Sequence, residues 1–154
     1  MPDLLRYFAR RVVPRDDAYD CVSDALVVLW RRRVFAPTDD GEFRAWAFGV
    51  SRRVVLNHER SVRRQRRLAE KLRLEPVIAG SGAVERTIVS DALASLSDSD
   101  RELVTLVAWD GFGVAEAGAV MGLTPVAARS RYSRARSRLR QVISADADGE
   151  KGVD

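Results

Sequence analysis

The chain has 154 residues, with 26 Lys plus Arg against 22 Asp plus Glu, one Cys and one His, which leaves room for one compact domain or two very small ones. A single thiol excludes an internal disulfide and a multi-cysteine metal site, and one His leaves almost no ligands for a transition metal, so no metal or cofactor is expected. No apolar run approaches the roughly 18 residues that span a bilayer, and the N-terminus lacks a basic, apolar and small-residue cleavage pattern. The expectation is therefore a cytoplasmic protein with no membrane contact.

The net charge of +4 conceals a segregated pattern. Residues 1–40 are balanced, 41–75 carry a net +6, 76–123 a net −5, 124–143 a net +6 with no acidic residue, and 144–154 a net −3. Two basic blocks flanking an acidic one point to two separate surfaces for a polyanion. The basic residues are nearly all Arg, which favours forked contacts to phosphates and guanine edges, although a GC-rich genome would give the same bias.

In chain order, helix signals dominate and no alternating run argues for a sheet. Leu4, Leu5, Phe8 and Val12 predict a short amphipathic helix ended by Pro14. Asp16 and Asp17 can cap a second helix, whose stripe is Ala18, Cys21, Val22, Ala25, Leu26, Leu29 and Trp30. The stretch Ala36–Gly41 reads as a loop. A third helix carries Phe43, Trp46, Ala47, Val50 and Val54 and runs on into the Arg-rich stretch Arg60–Arg73; the spacing of Phe43 and Trp46 predicts that both face the core.

Pro76, Gly80, Ser81 and Gly82 mark the best domain boundary. Beyond it, Val84–Leu96 and Asp100–Trp109 read as helices, the second preceded by Ser97, Asp98 and Ser99 as caps. Val114–Met121 is a short helix, Gly122-Leu123 a turn, and Thr124 caps a last helix with Pro125 at its first position. That helix places Ala128, Tyr132, Ala135, Leu139 and Val142 on one face, and Arg129, Arg131, Arg134, Arg136, Arg138 and Arg140 on the others. A short helix, a glycine turn and a longer helix form a helix-turn-helix; six arginines without an acidic residue favour a DNA reader over a plain helical hairpin. The fold class expected is thus all-α: two small helical domains joined by a flexible linker, the C-terminal one a helix-turn-helix. The boundaries expected are 1–73, a linker at 74–83, 84–143, and a disordered acidic tail at 144–154.

Several stretches also resemble a known family. Leu96-Ser-Asp-Ser-Asp-Arg-Glu-Leu-Val-Thr-Leu, Trp109-Asp-Gly-Phe, Ala115-Glu-Ala-Gly-Ala-Val-Met-Gly-Leu-Thr-Pro and Arg129-Ser-Arg-Tyr-Ser-Arg-Ala-Arg-Ser-Arg-Leu-Arg resemble the promoter-reading C-terminal domain of bacterial extracytoplasmic-function sigma factors. Asp17-Ala-Tyr-Asp-Cys-Val-Ser-Asp-Ala-Leu resembles their polymerase-docking helix, and Phe43-Arg-Ala-Trp-Ala-Phe-Gly-Val-Ser-Arg their DNA-melting helix. The resemblance runs from about Leu4 to Val142 and implies a two-domain initiation factor that is not an enzyme. It implies that Asp20 and Asp24 dock on the clamp helices of the largest subunit of core RNA polymerase. It also implies that the third helix handles the minus-10 element through Arg52, Arg53, Asn57, Arg60, Arg63 and Arg64, with Phe43, Trp46 and Phe48 available to an opened duplex. The loop Val34–Glu42 stands where the family captures a flipped base. The last helix would enter the major groove at the minus-35 element, with Arg129, Ser130, Ser133 and Arg134 at base edges and Thr124 on a phosphate. Further partners implied are promoter DNA, the polymerase flap and an anti-sigma factor.

The chain departs from the family pattern in places. An additional leading helix is usual, Ser23 stands for a common Gln, Arg53 for a common Asn, Asn57 for a common Asp and Gly118 for a common Ala. Cys21 reads as a small buried hydrophobe, and His58 has no nucleophile or carboxylate pair organised around it. Two other readings compete: a stand-alone helix-turn-helix regulator, which would leave Asp17–Leu72 without a purpose, and a nucleic-acid enzyme, for which no carboxylate cluster, metal site or phosphate loop is present in the sequence.

Overall fold

A computed structural model describes residues 2–72 and 87–149, and the chain divides into two compact units at Ala83/Val84. Among the described residues there are seven α-helices and no strand, as the periodicity predicts. The expected linker at 74–83 lies outside the described residues.

In the first unit, α1 (Pro2–Arg11), α2 (Arg15–Arg31) and α3 (Asp40–Lys71) pack against one another, with a single 3-10 turn, Arg33–Phe35, after α2. The core joins Leu4, Tyr7, Phe8 and Val12 of α1 and its exit to Ala18, Cys21 and Ala25 of α2 and to Ala47, Phe48, Val50 and Val55 of α3. Its centre is aromatic: Tyr7 meets Phe8 and Phe48 edge to face at 5.5 and 5.2 Å between ring centroids, a favoured quadrupolar arrangement. The Arg11 guanidinium covers the Tyr7 ring at 3.8 Å. The fully buried Ser51 hydroxyl donates to the Ala47 carbonyl at 2.9 Å, so it adds no unsatisfied polar atom.

Helix ends differ slightly from the expectation. Arg15 opens α2 behind Pro14, so Asp16 and Asp17 occupy its first turn and complement the helix dipole instead of capping it. Asp39 caps α3, its carboxylate accepting the Glu42 N–H at 3.0 Å.

In the second unit, α4 (Ile88–Ala94), α5 (Asp98–Ala108), α6 (Val114–Val120) and α7 (Pro125–Gly149) enclose Ala92, Leu96, Leu103, Leu106, Phe112, Ala117, Val120, Ala128 and Ala135. Thr87 and Ser90 form a reciprocal capping box at the start of α4, and Ser97 caps α5 by accepting the Asp100 N–H at 3.2 Å. Arg101 reaches back from α5 to the end of α4, donating to the carbonyls of Leu93 (2.9 Å) and Leu96 (3.1 Å). It thereby adds a donor to carbonyls of the last turn of α4 and of the turn that follows, a region where intrahelical donors run out.

Helix α7 passes residue 143 and ends at Gly149, so 144–149 are helical rather than disordered as expected. The reason is local: Ala145 and Ala147 are strong helix formers, and no Pro or Gly intervenes before Gly149. Residues 150–154 lie outside the described residues.

Candidate nucleic-acid interface

The second basic block sits on α7. Its N-terminus is built by the turn that precedes it: Gly122 has φ +72°, a conformation that a side chain disfavours, and Thr124 Oγ1 then accepts the Ala127 N–H at 3.3 Å. Pro125 follows as the first helical residue. Helix α6 is held at its own start by Glu116, whose carboxylate accepts the Gly113 N–H at 2.7 Å.

The α6 and α7 backbones approach closely at Gly118. A Cβ added there would lie 2.5 Å from the Cβ of Ala128, well inside van der Waals contact. Read from propensity alone, this glycine only weakens its helix; the tertiary structure makes it the residue that permits the crossing.

Ala128 and Ala135 are buried, whereas Thr124, Arg129, Ser130, Ser133 and Arg134 are all exposed. The five sequence-derived candidates therefore share an open surface at the N-terminal half of α7, beside the exposed Arg136, Arg138 and Arg140. Arg131 is the exception. Expected on the open faces with the other five, it instead has its guanidinium 3.1 Å from Asp100 Oδ1 and donates to Ser99 Oγ at 3.0 Å. Its position, three residues after Ala128 and four before Ala135, places it at the margin of the buried stripe. That spacing was the available signal, and the count of six arginines obscured it.

The first basic block lies along α3. Arg53, Asn57, Arg60, Arg63 and Arg64 are exposed and Arg52 is half-buried. Arg60 reaches the Asn57 side-chain oxygen at 3.5 Å and Arg63 pairs with Glu59 at 3.3 Å, contacts too exposed to hold either arginine firmly.

The aromatic residues near the start of α3 are distributed otherwise than their spacing predicts. Phe43, expected in the core, is 46% exposed, and Trp46 is only half-buried, its ring tilted against Phe43 at 5.7 Å. Phe48, offered as available to DNA, is buried in the α1–α3 core at 3% exposure. The first turn of α3 projects past the packed stretch that begins at Ala47, so the same apolar spacing has no partner there. Trp30, placed on the α2 stripe by its spacing, is 67% exposed and carries the Arg33 guanidinium 4.4 Å over its ring. The buried residues of α2 stop at Ala25, a turn earlier.

On α2, Asp20 and Asp24 are exposed. With Asp17 they form the acidic wall of an open groove of about 680 Å³, whose other wall is Asn57, His58, Ser61 and Gln65 of α3. His58 Nε2 lies 3.4 Å from Asp17 Oδ2. Cys21 sits beneath this wall; burial first, then the carboxylates of Asp24, Asp17 and Asp20, raise its thiol pKa above the ordinary 9.0. Among the described residues no group of three or more His, Cys, Asp or Glu could hold a metal ion, and no helix is long and apolar enough to cross a membrane.

Two helical units, one ending in a helix-turn-helix and the other in a long arginine-bearing helix beside an acidic groove, define a DNA-binding protein. The sigma-70 region 2 family matches residues 2–67 and the sigma-70 region 4 family residues 86–139. The RNA polymerase sigma factor CnrH of Cupriavidus metallidurans is 32% identical over 158 residues, covering 90% of this chain and 78% of that protein. The RNA polymerase sigma-E factor of Streptomyces coelicolor is 30% identical, covering 93% and 81%.

Among solved structures, CnrH in complex with the cytosolic domain of CnrY is similar with a TM-score of 0.63 at 30% identity, covering 94% of this chain and 82% of that one. RpoE of Bartonella quintana, in complex with the anti-sigma factor NepR, has a TM-score of 0.62 at 26% identity, covering 94% and 92%. The chain belongs to the sigma-70 family of RNA polymerase sigma factors, in the extracytoplasmic-function group. It binds core RNA polymerase and promoter DNA in transcription initiation. The stand-alone regulator reading falls with the match to residues 2–67, which that reading left without a purpose.

Proposed function

We propose that the two arginine surfaces divide promoter recognition between the units, the outer face of α3 engaging the minus-10 element and α7 reading the minus-35 element. The observation that carries this is the single open surface formed by Thr124, Arg129, Ser130, Ser133 and Arg134 at the start of a helix whose opposite side is buried. In the major groove, Arg129 and Arg134 fork onto guanine O6 and N7, each worth about 1–3 kcal/mol of discrimination. Ser130 and Ser133 can donate to or accept from either kind of base edge, and the Thr124 hydroxyl, with the helix N-terminus, meets a phosphate.

At the minus-10 element Arg52, Arg53, Asn57, Arg60, Arg63 and Arg64 hold the backbone as the duplex opens. Phe43, in the first turn of α3 just after the short connection 36–39, offers an exposed ring suited to stacking on an unpaired base. Phe48 has no such part, being committed to the core.

Asp20 and Asp24 project their carboxylates from the acidic wall of the α2/α3 groove and pair there with basic groups of the polymerase clamp helices. The second unit has its own apolar cleft, lined by Val89, Leu93, Val104, Trp109, Leu139 and Ile143, which suits an apolar segment such as the polymerase flap. One similar solved structure is a sigma factor in complex with the anti-sigma factor NepR, and another is CnrH in complex with the cytosolic domain of CnrY; an anti-sigma factor occluding these surfaces is the expected regulator. The site of action is the cytoplasm, where polymerase and chromosome are.

Transcription from matched promoters with purified core polymerase tests the whole reading. Initiation that depends on added protein supports it; tight promoter binding by the protein alone, with no initiation added to core enzyme, overturns it.

A further inference from the structure

Six arginines lie on α7 between residues 129 and 140, and five of them are exposed. Arg131 alone turns inward, its side chain 37% exposed, to pair with the 30% exposed side chain of Asp100. The partner oxygen, Asp100 Oδ1, is shielded from solvent, so the 3.1 Å ion pair is far less screened than those along the surface of α3. Beside this ion pair, which is a charge contact and not a hydrogen bond, Ser99 Oγ accepts a guanidinium hydrogen of Arg131 at 3.0 Å. Both partners stand in the first turn of α5, which Ser97 caps through the Asp100 N–H and which Arg101 ties to the end of α4. A guanidinium held on a fixed helix end by one shielded ion pair and one hydrogen bond restricts rotation of α7 about its own axis.

We propose that Arg131 is a positioning residue: anchored on Asp100 and Ser99, it sets the rotation of α7 and so the direction in which Arg129, Ser130, Ser133 and Arg134 face DNA, and it does not touch DNA itself. This rests on the reading of α7 as the minus-35 helix. A rotation of α7 moves every base contact together, so losing the anchor lowers affinity for the preferred sequence while leaving the phosphate contacts countable as before.

The sign of one substitution separates this role from simple electrostatics. Removing a negative charge beside a DNA-binding helix ordinarily strengthens binding to DNA; here Asp100→Asn, which keeps shape and removes the ion pair, is expected to weaken it. The experiment measures binding of the full chain across a salt series to the duplex that the wild-type chain enriches from a randomised pool, and to a scrambled duplex. Arg131→Met and Asp100→Asn should each weaken binding to the enriched duplex about tenfold, and the double variant no more than the worse single one, because the two act as a unit. Binding to the scrambled duplex and the slope of log affinity against log salt should stay as in wild type. Ser99→Ala, which removes one of the two anchors, should give a smaller loss of the same kind.

A salt slope lowered by about 0.9 in Arg131→Met, with Asp100→Asn binding as well as or better than wild type, would make Arg131 a phosphate contact and overturn the proposal. Equal losses on enriched and scrambled duplexes, tracking a fall in the helical signal of the variants, would overturn it too, since the pair would then hold the fold and not the aim. Failure of the wild-type chain to enrich any sequence would instead remove the minus-35 reading of α7, with the Arg131–Asp100 coupling still measurable in unfolding experiments.

Discussion

At Gly118, helix propensity and packing give opposite signs. An Ala in a helix interior is ordinarily worth up to about 1 kcal/mol over Gly, but here its Cβ would lie 2.5 Å from that of Ala128. Gly118→Ala is therefore expected to destabilise the second unit by about 1–3 kcal/mol in urea unfolding, and Ala128→Gly in that background to recover part of the loss. A gain in stability would show that α6 and α7 separate without cost. Cys21 gives a second prediction at this scale. Buried and beneath three carboxylates, the thiol stays protonated at neutral pH, so maleimide labelling of the native chain at pH 7 should be much slower than in urea. Because the folded pKa is raised, the contribution of Cys21 to stability is intact below the ordinary value of 9.0 and falls as the pH rises above it. Cys21→Ala should flatten that alkaline fall.

At the scale of the element, α3 and α7 each separate packed residues from exposed ones along one helix, and the proposed contact roles fall to the exposed ones. Phe48→Ala should cost about 3–5 kcal/mol of stability in the first unit, as loss of a buried aromatic does. Phe43→Ala should leave thermal unfolding nearly unchanged and instead slow open-complex formation, read by permanganate reactivity of unpaired thymines. If Phe43→Ala opened promoters at the wild-type rate, the stacking assignment would be withdrawn. On α7, Arg134→Ala is expected to relax sequence choice at one minus-35 position, whereas Arg138→Ala should weaken binding evenly and lower the salt slope by about 0.9; identical profiles across all single-base variants of the element would remove the reader role from Arg134.

At the scale of the molecule, the net charge of +4 is the remainder of two +6 blocks, an acidic middle and an acidic tail, and the binding surfaces proposed above follow the blocks rather than the sum. One arginine face belongs to each unit, and the acidic wall of Asp17, Asp20 and Asp24 belongs to the first. Asp24→Arg should therefore reduce affinity for core polymerase in a pull-down while leaving binding of α7 to its duplex intact, since that helix is in the other unit. Unchanged polymerase affinity would dismiss the docking role of Asp24. Each unit also has its own buried core, so residues 1–83 and 84–154 expressed separately should each unfold cooperatively by circular dichroism.

Local physics made much of this legible in the sequence. Apolar spacing at three and four sets the helices, Gly122-Leu123-Thr124-Pro125 writes the turn and the start of α7, and two arginine-rich stretches set the basic faces, because each depends only on neighbouring residues. Spacing alone cannot say whether a helix face has a partner at a given turn. Phe43 and Trp30 keep the apolar rhythm past the point where their helices are packed, and Phe48 lies off the expected stripe yet meets Tyr7. The same holds for charge: a count of six arginines on α7 treats Arg131 like its neighbours, and Asp100 and Ser99, 31 and 32 residues earlier in the chain, turn it inward. The sequence by itself determined an all-helical chain with two arginine surfaces and a helix-turn-helix. The tertiary structure decided which aromatic residues are core, which arginine is held, and why residue 118 is glycine, since each is settled by an atom contributed from another helix.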